Sequence, residues 1–591
     1  MKVIERIESL RKLMIDRNID YVIIPSSDAH QSEYVSDYYK GREYISGFTG
    51  SAGTVLIGLN EGILWTDGRY FIQAENELKG SGIKLFKMRI PGWPTLEEWI
   101  FENVKSDETI AFDGKVVSLE QYKEIKNIAK EKSINLKIDE DLLELIWSYR
   151  PNLPSENIFI HDIIYCGKSA KEKIEEVRNY MRKKEVLNYV ISSLDDIAWL
   201  YNIRGNDVHC NPVVISYAII TLNNSYLYID KRKVSEKVSE ALNNEGIEIK
   251  DYNEIKQGIN DLKGSVLIDP ERVSAFIYEN IDKNLKVVQD TNITTNLKAV
   301  KNNIEIENLK KCQVRDGVAM VKFIKWLKEN LGKIEISEVS ASDKLTEFRS
   351  NGELFKGISF DTIAGHKEHG AMMHYFPTKE SDYNLESKGF LLIDSGGQYL
   401  DGTTDITRTI VLGELTEEER RDFTLVLKGH ISLMNTKFLK GTSGSNIDIK
   451  AREPLWKEGI DYKCGTGHGV GFFLNVHEGP QRISPVPNNI ALEPGMILTN
   501  EPGIYREGKH GIRTENTMLV VEDISSKEFG EFYKFEVISL CPIDLNGIEV
   551  SLLNKEEKEW INDYHKWVFN TLCPYLNEEE KEFLRIETKE I

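Results

Sequence analysis

Five side chains in the second half of this sequence are of types that bind hard cations: Asp394, Asp405, His468, Glu501 and Glu515. Asp394 ends the apolar run Phe390-Leu391-Leu392-Ile393 in GFLLIDSGGQYLDGTTDITRTIVLG, and Asp405 follows the turn GGQYLDGTT. A carboxylate at the end of a buried strand is costly unless it is paired or bound to a cation. A returning strand would bring Asp405 opposite Asp394. Glu501 follows Met496-Ile497-Leu498-Thr499, and Glu515 precedes Met518-Leu519-Val520-Val521, again on the two sides of a hairpin-like connection. Alone, each is ordinary: aspartate is common in turns, and glutamate on solvated surfaces. Together they are four carboxylates in two pairs, each beside an apolar run, with His468 between the pairs. Oxygen-rich ligands with one imidazole favour Mn²⁺, Co²⁺ or Zn²⁺ over a soft thiolate metal. Four clustered negative charges exceed the need of one cation. Two divalent ions about 3.5–4 Å apart, bridged by shared carboxylates, would neutralise them.

His468 lies in the glycine-rich run GTGHGVG. That run lacks the Lys-Ser/Thr ending of a phosphate loop. It also lacks the acidic ribose partner and helix pattern of a dinucleotide fingerprint. Gly465, Gly467, Gly469 and Gly471 instead let the backbone bend and approach closely, so that His468 can reach a metal. His477, nine residues further on in NVHEGP, cannot be made a ligand by spacing alone. A role behind the ligands, a substrate role and a structural role all stay open for it.

The elements that must position these residues begin near KAVKNN, residues 298–303. Beyond it, Ile306, Leu309, Val314, Val321, Ile324 and Leu327 recur near helical spacing, which predicts a long amphipathic helix opening a domain. Strands and glycine turns follow from about residue 355 to 545, and the tail reads as two helices. Upstream, two segments resemble each other. ERIESLR and EKIEEVR each open a helical pattern, and DYVIIPSSDAH and NYVISSLDD each follow as a strand. VLIGLNEGILWTD (55–67) aligns without gaps to AIITLNNSYLYID (218–230), and both read as hairpins. Two related α/β domains in tandem account for this. YRPNLPSE (149–156) is a linker by its prolines. The expected division is 1–152, 153–300 and 301–591.

The bulk numbers exclude several classes. The net charge of −20 and the absence of a basic stretch argue against nucleic acid as a partner. The six cysteines are scattered, with no CxxC pair, which fits neither a disulfide framework nor a thiolate zinc site but does fit a reducing cytosol. The start of the chain is charged and amphipathic rather than an apolar targeting segment. PVVISYAIITL is too short for a bilayer span of about 20 residues.

The motifs SFDTIAG…HGAMMHYFP, LLIDSGGQYLDGTTDITRT, GTGHGVG, NVHEGP, TNEPGIY and GIRTENTMLVV resemble those of the metal-dependent aminopeptidase P and prolidase family. DAHQSEY, ISGFTGSAGT, WTDGRYF, LDDIAWLYNIRG and the tail from FEVISLCPIDL resemble its three-domain, cytosolic type, so the resemblance covers essentially the whole chain. It implies an α/β (α+β) protein: two related N-terminal α/β domains followed by a C-terminal pita-bread catalytic domain with a helical tail. It also implies a cytoplasmic homodimer acting on peptides, with no membrane or nucleic-acid partner. Asp394, Asp405, His468, Glu501 and Glu515 would hold two divalent ions, Mn²⁺ first, with Co²⁺ or Zn²⁺ as alternatives. His374, in MMHYFP, and His477 resemble the substrate-contacting histidines, and Arg69, in TDGRY, a first-domain arginine that contacts peptide. One departure is visible. Relatives often carry a histidine four residues before the ligand histidine, where this chain has Cys464.

The implied activity is release of the N-terminal residue from peptides with proline second, by attack of a hydroxide bridging the two metals. Glu501 would handle that water's proton, and His374 and His477 would assist at the oxyanion or the leaving nitrogen. Prolidase, cutting Xaa-Pro dipeptides, is the close alternative; a ligand-poor relative that only binds peptides is the distant one.

Overall fold

The computed structural model describes residues 2–525 and 528–591. The chain divides into two units, Met1–Asp162 with Lys168–Asn296, and Ile163–Gly167 with Leu297–Ile591.

The first unit is built twice from one plan. Its first sheet has the order Lys84–Lys87, Gly62–Thr66, Thr54–Gly58, Tyr21–Pro25, Thr109–Ala111, Asn135–Lys137. Its second has the order Ile247–Asp251, Ser225–Ile229, Ser216–Thr221, Asn188–Ile191, Ser265–Ile268, Lys286–Gln289. Numbered in chain order, both sheets read 4-3-2-1-5-6. Both pair strands 1–2 and 2–3 antiparallel, and 3–4, 1–5 and 5–6 parallel. The hairpins aligned in the sequence, Thr54–Gly58 with Gly62–Thr66 and Ser216–Thr221 with Ser225–Ile229, occupy equivalent places. Their strands are buried at every position but Thr54, Thr221 and Tyr226, as in sheets covered on both faces.

The second unit opens on the helix Asn303–Asn330. The Asn302 side chain accepts from the Ile304 and Glu305 amides, and Glu305 reaches back to the Asn302 amide, which starts the helix sharply. Gly332, at φ 76°, follows its end. The stripe Met320, Phe323, Ile324 and Leu327 packs on Leu391, Ile393, Ile406 and Ile410. These belong to a three-stranded antiparallel sheet of Ile363–His366, Phe390–Ser395 and Ile406–Val411. A six-stranded sheet runs Phe438–Leu439, Phe532–Val537, Asn516–Asp523, Ile497–Asn500, Gly467–Gly469, Glu478–Ile483. The two sheets are stitched where the Glu515 amide donates to the Thr407 carbonyl (3.2 Å) and Thr517 Oγ1 to the Asp405 carbonyl (2.9 Å). The tail forms the helices Lys555–Leu572 and Glu578–Glu587.

Candidate metal centre

Asp394 lies in the buried strand Phe390–Ser395, and Asp405 is the residue before the strand Ile406–Val411. The register partner of Asp394 is Thr407, not Asp405. The expected opposition is therefore two residues out. Period-two alternation still puts Asp405 on the same side as Thr407, diagonal to Asp394. Glu501 and Glu515 flank the last register pair, Asn500 with Asn516, of the antiparallel strands Ile497–Asn500 and Asn516–Asp523. Between them runs the hairpin Gly503–Arg506 with His510–Arg513. His468 is carried by the adjacent strand Gly467–Gly469.

The glycines beside His468 are there for close approach. A Cβ on Gly467 would lie 2.0 Å from the Thr499 carbonyl oxygen, and one on Gly469 would lie 2.1 Å from that of Glu478. None of the four glycines of the run takes a left-handed φ, so their conformational freedom is not what the fold uses.

These elements converge. Ligand atoms of Asp405, His468 and Glu515 all lie within 4.8 Å of one another. His468 Nε2 is 3.3 Å from Asp405 Oδ2 and 3.5 Å from Glu501 Oε1. His468 Nδ1 donates to the Gly469 carbonyl (2.9 Å), which leaves Nε2 as the nitrogen aimed at the carboxylates. Glu515 Oε2 accepts from Thr407 Oγ1 (2.7 Å), and Asp394 Oδ2 accepts from Arg513 Nη2 (2.6 Å). The other oxygen of Asp394 is buried with no hydrogen-bond partner. A buried carboxylate oxygen left bare is expensive, and a cation is the partner that suits it. The donor set of four carboxylates and one imidazole therefore fits divalent ions.

The electrostatics agree. Burial pushes the Asp394 carboxyl up to about 6, with Arg513 opposing and Asp405 and Glu501 adding to the rise. Burial, then the charges of Asp405, Asp394 and Glu501, drives Glu515 well above the usual range. Burial alone would lower His468. The hydrogen bond that His468 donates to Asp405 and the charges of Glu501 and Asp405 outweigh it and raise the imidazole to about 9. Without cations the cluster keeps protons to limit its own repulsion.

The ring of His477 meets that of His468 edge-on. His374 follows Met373, whose carbonyl accepts from Arg513 Nη2 (3.3 Å), the nitrogen that also holds Asp394. Arg69 belongs to the other unit, in the turn between the strand Gly62–Thr66 and the helix Phe71–Glu77. There its guanidinium is engaged bidentately by Asp67 (2.9 and 2.7 Å), with Glu33 at 3.5 Å.

Three residues at this centre lie in the quoted motifs with no role that the sequence assigns: Arg513, Thr407 and Tyr505, whose hydroxyl accepts from Arg513 Nη1 (2.6 Å). The spacing of Arg513 and Glu515 in GIRTEN was the available clue. Residues on one face of a strand lie two apart.

Comparison with known proteins shows the family. A probable Xaa-Pro aminopeptidase P of Pyrenophora teres f. teres is 40% identical over 605 residues, covering 99% of this chain and 92% of that protein. Residues 307–522 match metallopeptidase family M24. The chain belongs to that family. Other M24-associated segments fill the rest: residues 6–143 and 149–305 match creatinase/prolidase N-terminal domains, and 531–591 the C-terminal region of peptidase M24. A relative from Dictyostelium discoideum, Xaa-Pro aminopeptidase 1, is 40% identical over 590 residues, 97% of this chain and 93% of its own. Among solved structures, X-prolyl aminopeptidase from Caenorhabditis elegans matches with a TM-score of 0.97 at 33% identity, over 100% of both chains. That protein is described as a cytosolic enzyme with a di-nuclear active site.

Proposed function

We propose that this metallopeptidase is an Xaa-Pro aminopeptidase, releasing the N-terminal residue from peptides whose second residue is proline. The observation that carries the reading is the convergence of Asp405, His468 and Glu515 beside an Asp394 oxygen with no partner. Asp394, Asp405, His468, Glu501 and Glu515 hold two divalent ions, with Mn²⁺ the first choice for so oxygen-rich a set. Bound there, the pair supplies a nucleophile at neutral pH, because divalent ions lower the pKa of water.

The remaining work belongs to this chain's own side chains. Glu501 is the least enclosed of the cluster carboxylates, with Oε1 hydrogen-bonded by Thr499 Oγ1 (3.2 Å), and it takes and returns the proton of the attacking water. His477 and His374 present ring nitrogens to the reacting carbonyl oxygen or to the departing proline nitrogen. Proline at the second position has no N–H and a φ fixed near −65°. A subsite that needs no amide donor there admits proline where a sheet-like subsite would not.

Arg69 contributes a peptide contact in the same reading. The same reading includes a homodimeric assembly, a cytoplasmic setting and a three-domain division near residues 152 and 300. Among the described residues no helix is long and apolar enough to cross a membrane.

The deciding experiment measures bound metal and turnover on the same preparation. The expected result is about two divalent ions per chain and cleavage of Arg-Pro-Pro to free arginine, lost on chelation. Cleavage of Xaa-Pro dipeptides in preference to the tripeptide would move the chain to the prolidases.

A further inference from the structure

Glu501 and Glu515 lie just beyond the ends of two paired strands, Ile497–Asn500 and Asn516–Asp523, and their separation depends on what fixes those strands at the Asn500–Asn516 pair. One buried side chain from a distant helix bonds to both members of that pair. His430, in the helix Glu417–Met434, has 0% of its surface exposed. Its Nδ1 meets the Asn500 carbonyl at 3.1 Å, and its Nε2 meets Asn516 Nδ2 at 3.1 Å. The Asn500 side-chain amide donates back to the His430 carbonyl (3.0 Å). Burial and the nearby Arg408 push the imidazole down to about 3, so the ring is neutral. A carbonyl can only accept, so Nδ1 donates to Asn500 and Nε2 accepts from Asn516.

Arg408 completes the frame. Its Nη2 donates to Asn516 Oδ1 (2.8 Å), which fixes the amide so that its nitrogen faces His430. Its Nη1 donates to the Glu515 carbonyl (2.6 Å). The same guanidinium is held by the Cys541 carbonyl (2.7 Å) and by the hydroxyl of Tyr564 (2.8 Å), which lies on the tail helix Lys555–Leu572. The network thus bonds to the backbone at Asn500, one residue before Glu501, and at Glu515 itself. It touches neither glutamate side chain.

We propose that His430 and Arg408, braced by Tyr564 of the tail, are positioning residues that set the spacing of Glu501 and Glu515 in the metal centre. A core histidine that only filled space would not need both ring nitrogens matched to the two asparagines next to the glutamates. Outer groups that orient ligands typically change metal affinity by about 10–100-fold when removed. The inference rests on the metal-centre reading above.

The test uses the full chain, stripped with chelator and titrated with Mn²⁺ alone against a competing indicator, with thermal melting of the stripped protein alongside. His430→Leu is expected to weaken Mn²⁺ uptake by about 10-fold or more. His430→Asn, which restores a donor near Nδ1, is expected to fall between it and the wild type. Wild-type Mn²⁺ affinity in His430→Leu, or a lowered melting temperature with unchanged affinity, overturns the proposal. If His430→Leu does not fold, Tyr564→Phe carries the test, since it deletes one hydroxyl. About 3-fold weaker uptake is expected there, and wild-type affinity overturns the proposal. A wild-type chain that takes up no Mn²⁺ fails earlier, at the metal-centre reading, and takes this inference with it.

Discussion

The ring of His477 stands edge-on to that of His468, with centroids 4.3 Å apart and planes 79° from parallel. His468 faces the carboxylates through Nε2, and His477 packs against its ring.

That arrangement separates binding from chemistry. His477→Ala should leave the five cation-binding groups in place while removing a proton donor from the reacting region. The expected outcome is unchanged metal content with kcat on Arg-Pro-Pro lowered about 10²-fold or more, the usual scale for a general acid–base group. Wild-type turnover would reduce His477 to a packing residue.

Cation binding should release protons. His468 is raised from 6.5 to about 9, so in the cation-free protein its protonated form adds stability that is full below pH 6.5 and gone above about 9. Asp394, raised from 3.8 to about 6, likewise contributes stability to the cation-free fold that is full below pH 3.8 and gone above about 6. Divalent ions compete with those protons. Between pH 6 and 9 the melting temperature gained on adding Mn²⁺ should therefore grow. Calorimetry in buffers of different ionisation enthalpy should show protons leaving; a gain that shrinks with pH would contradict the assignment.

Glu478, the residue after His477, is held by two lysines: Lys301, which donates to it directly, and Lys298 at 3.7 Å. All three side chains are 1–2% exposed. Breaking a buried ion pair by removing one charge costs about 3–5 kcal/mol. Glu478→Gln should therefore lower the melting temperature markedly. A variant that melts with the wild type would show that the lysines find other partners.

Gly469→Ala tests the close approach at the imidazole. A Cβ placed 2.1 Å from the Glu478 carbonyl oxygen meets backbone, which cannot swing aside. Overpacking of this kind costs about 1–3 kcal/mol, and here the strain falls on the strand carrying His468. Lower stability and reduced bound metal should appear together. Normal metal content in Gly469→Ala would show that the strand can shift without moving the ring.

How much of this was legible follows from the range of the interactions involved. Asp394 announced itself because an apolar run ending in a carboxylate is a local contradiction that only a partner resolves. The paired hairpins were visible as an ungapped alignment of residues 55–67 with 218–230. The shared order 4-3-2-1-5-6 was not, because it depends on which strands pair. The register of Asp394 was misjudged by two residues, since turn length alone does not set pairing where a short intervening strand, Gly397–Tyr399, takes up part of the chain. Arg513 was passed over because an arginine in a hairpin normally points to water. His430 bonds to partners 70 and 86 residues away, and no local pattern records such bonds.

The frame around the carboxylates is assembled from the protein's own bonds. Strand pairing fixes the backbone, Arg513 holds Asp394 and Thr407 holds Glu515. A pocket held by such bonds is expected to fold before any metal binds, unlike a zinc finger. Loading then becomes a separate event after synthesis, and the ion in place at any moment reflects cellular supply and exchange as much as intrinsic preference.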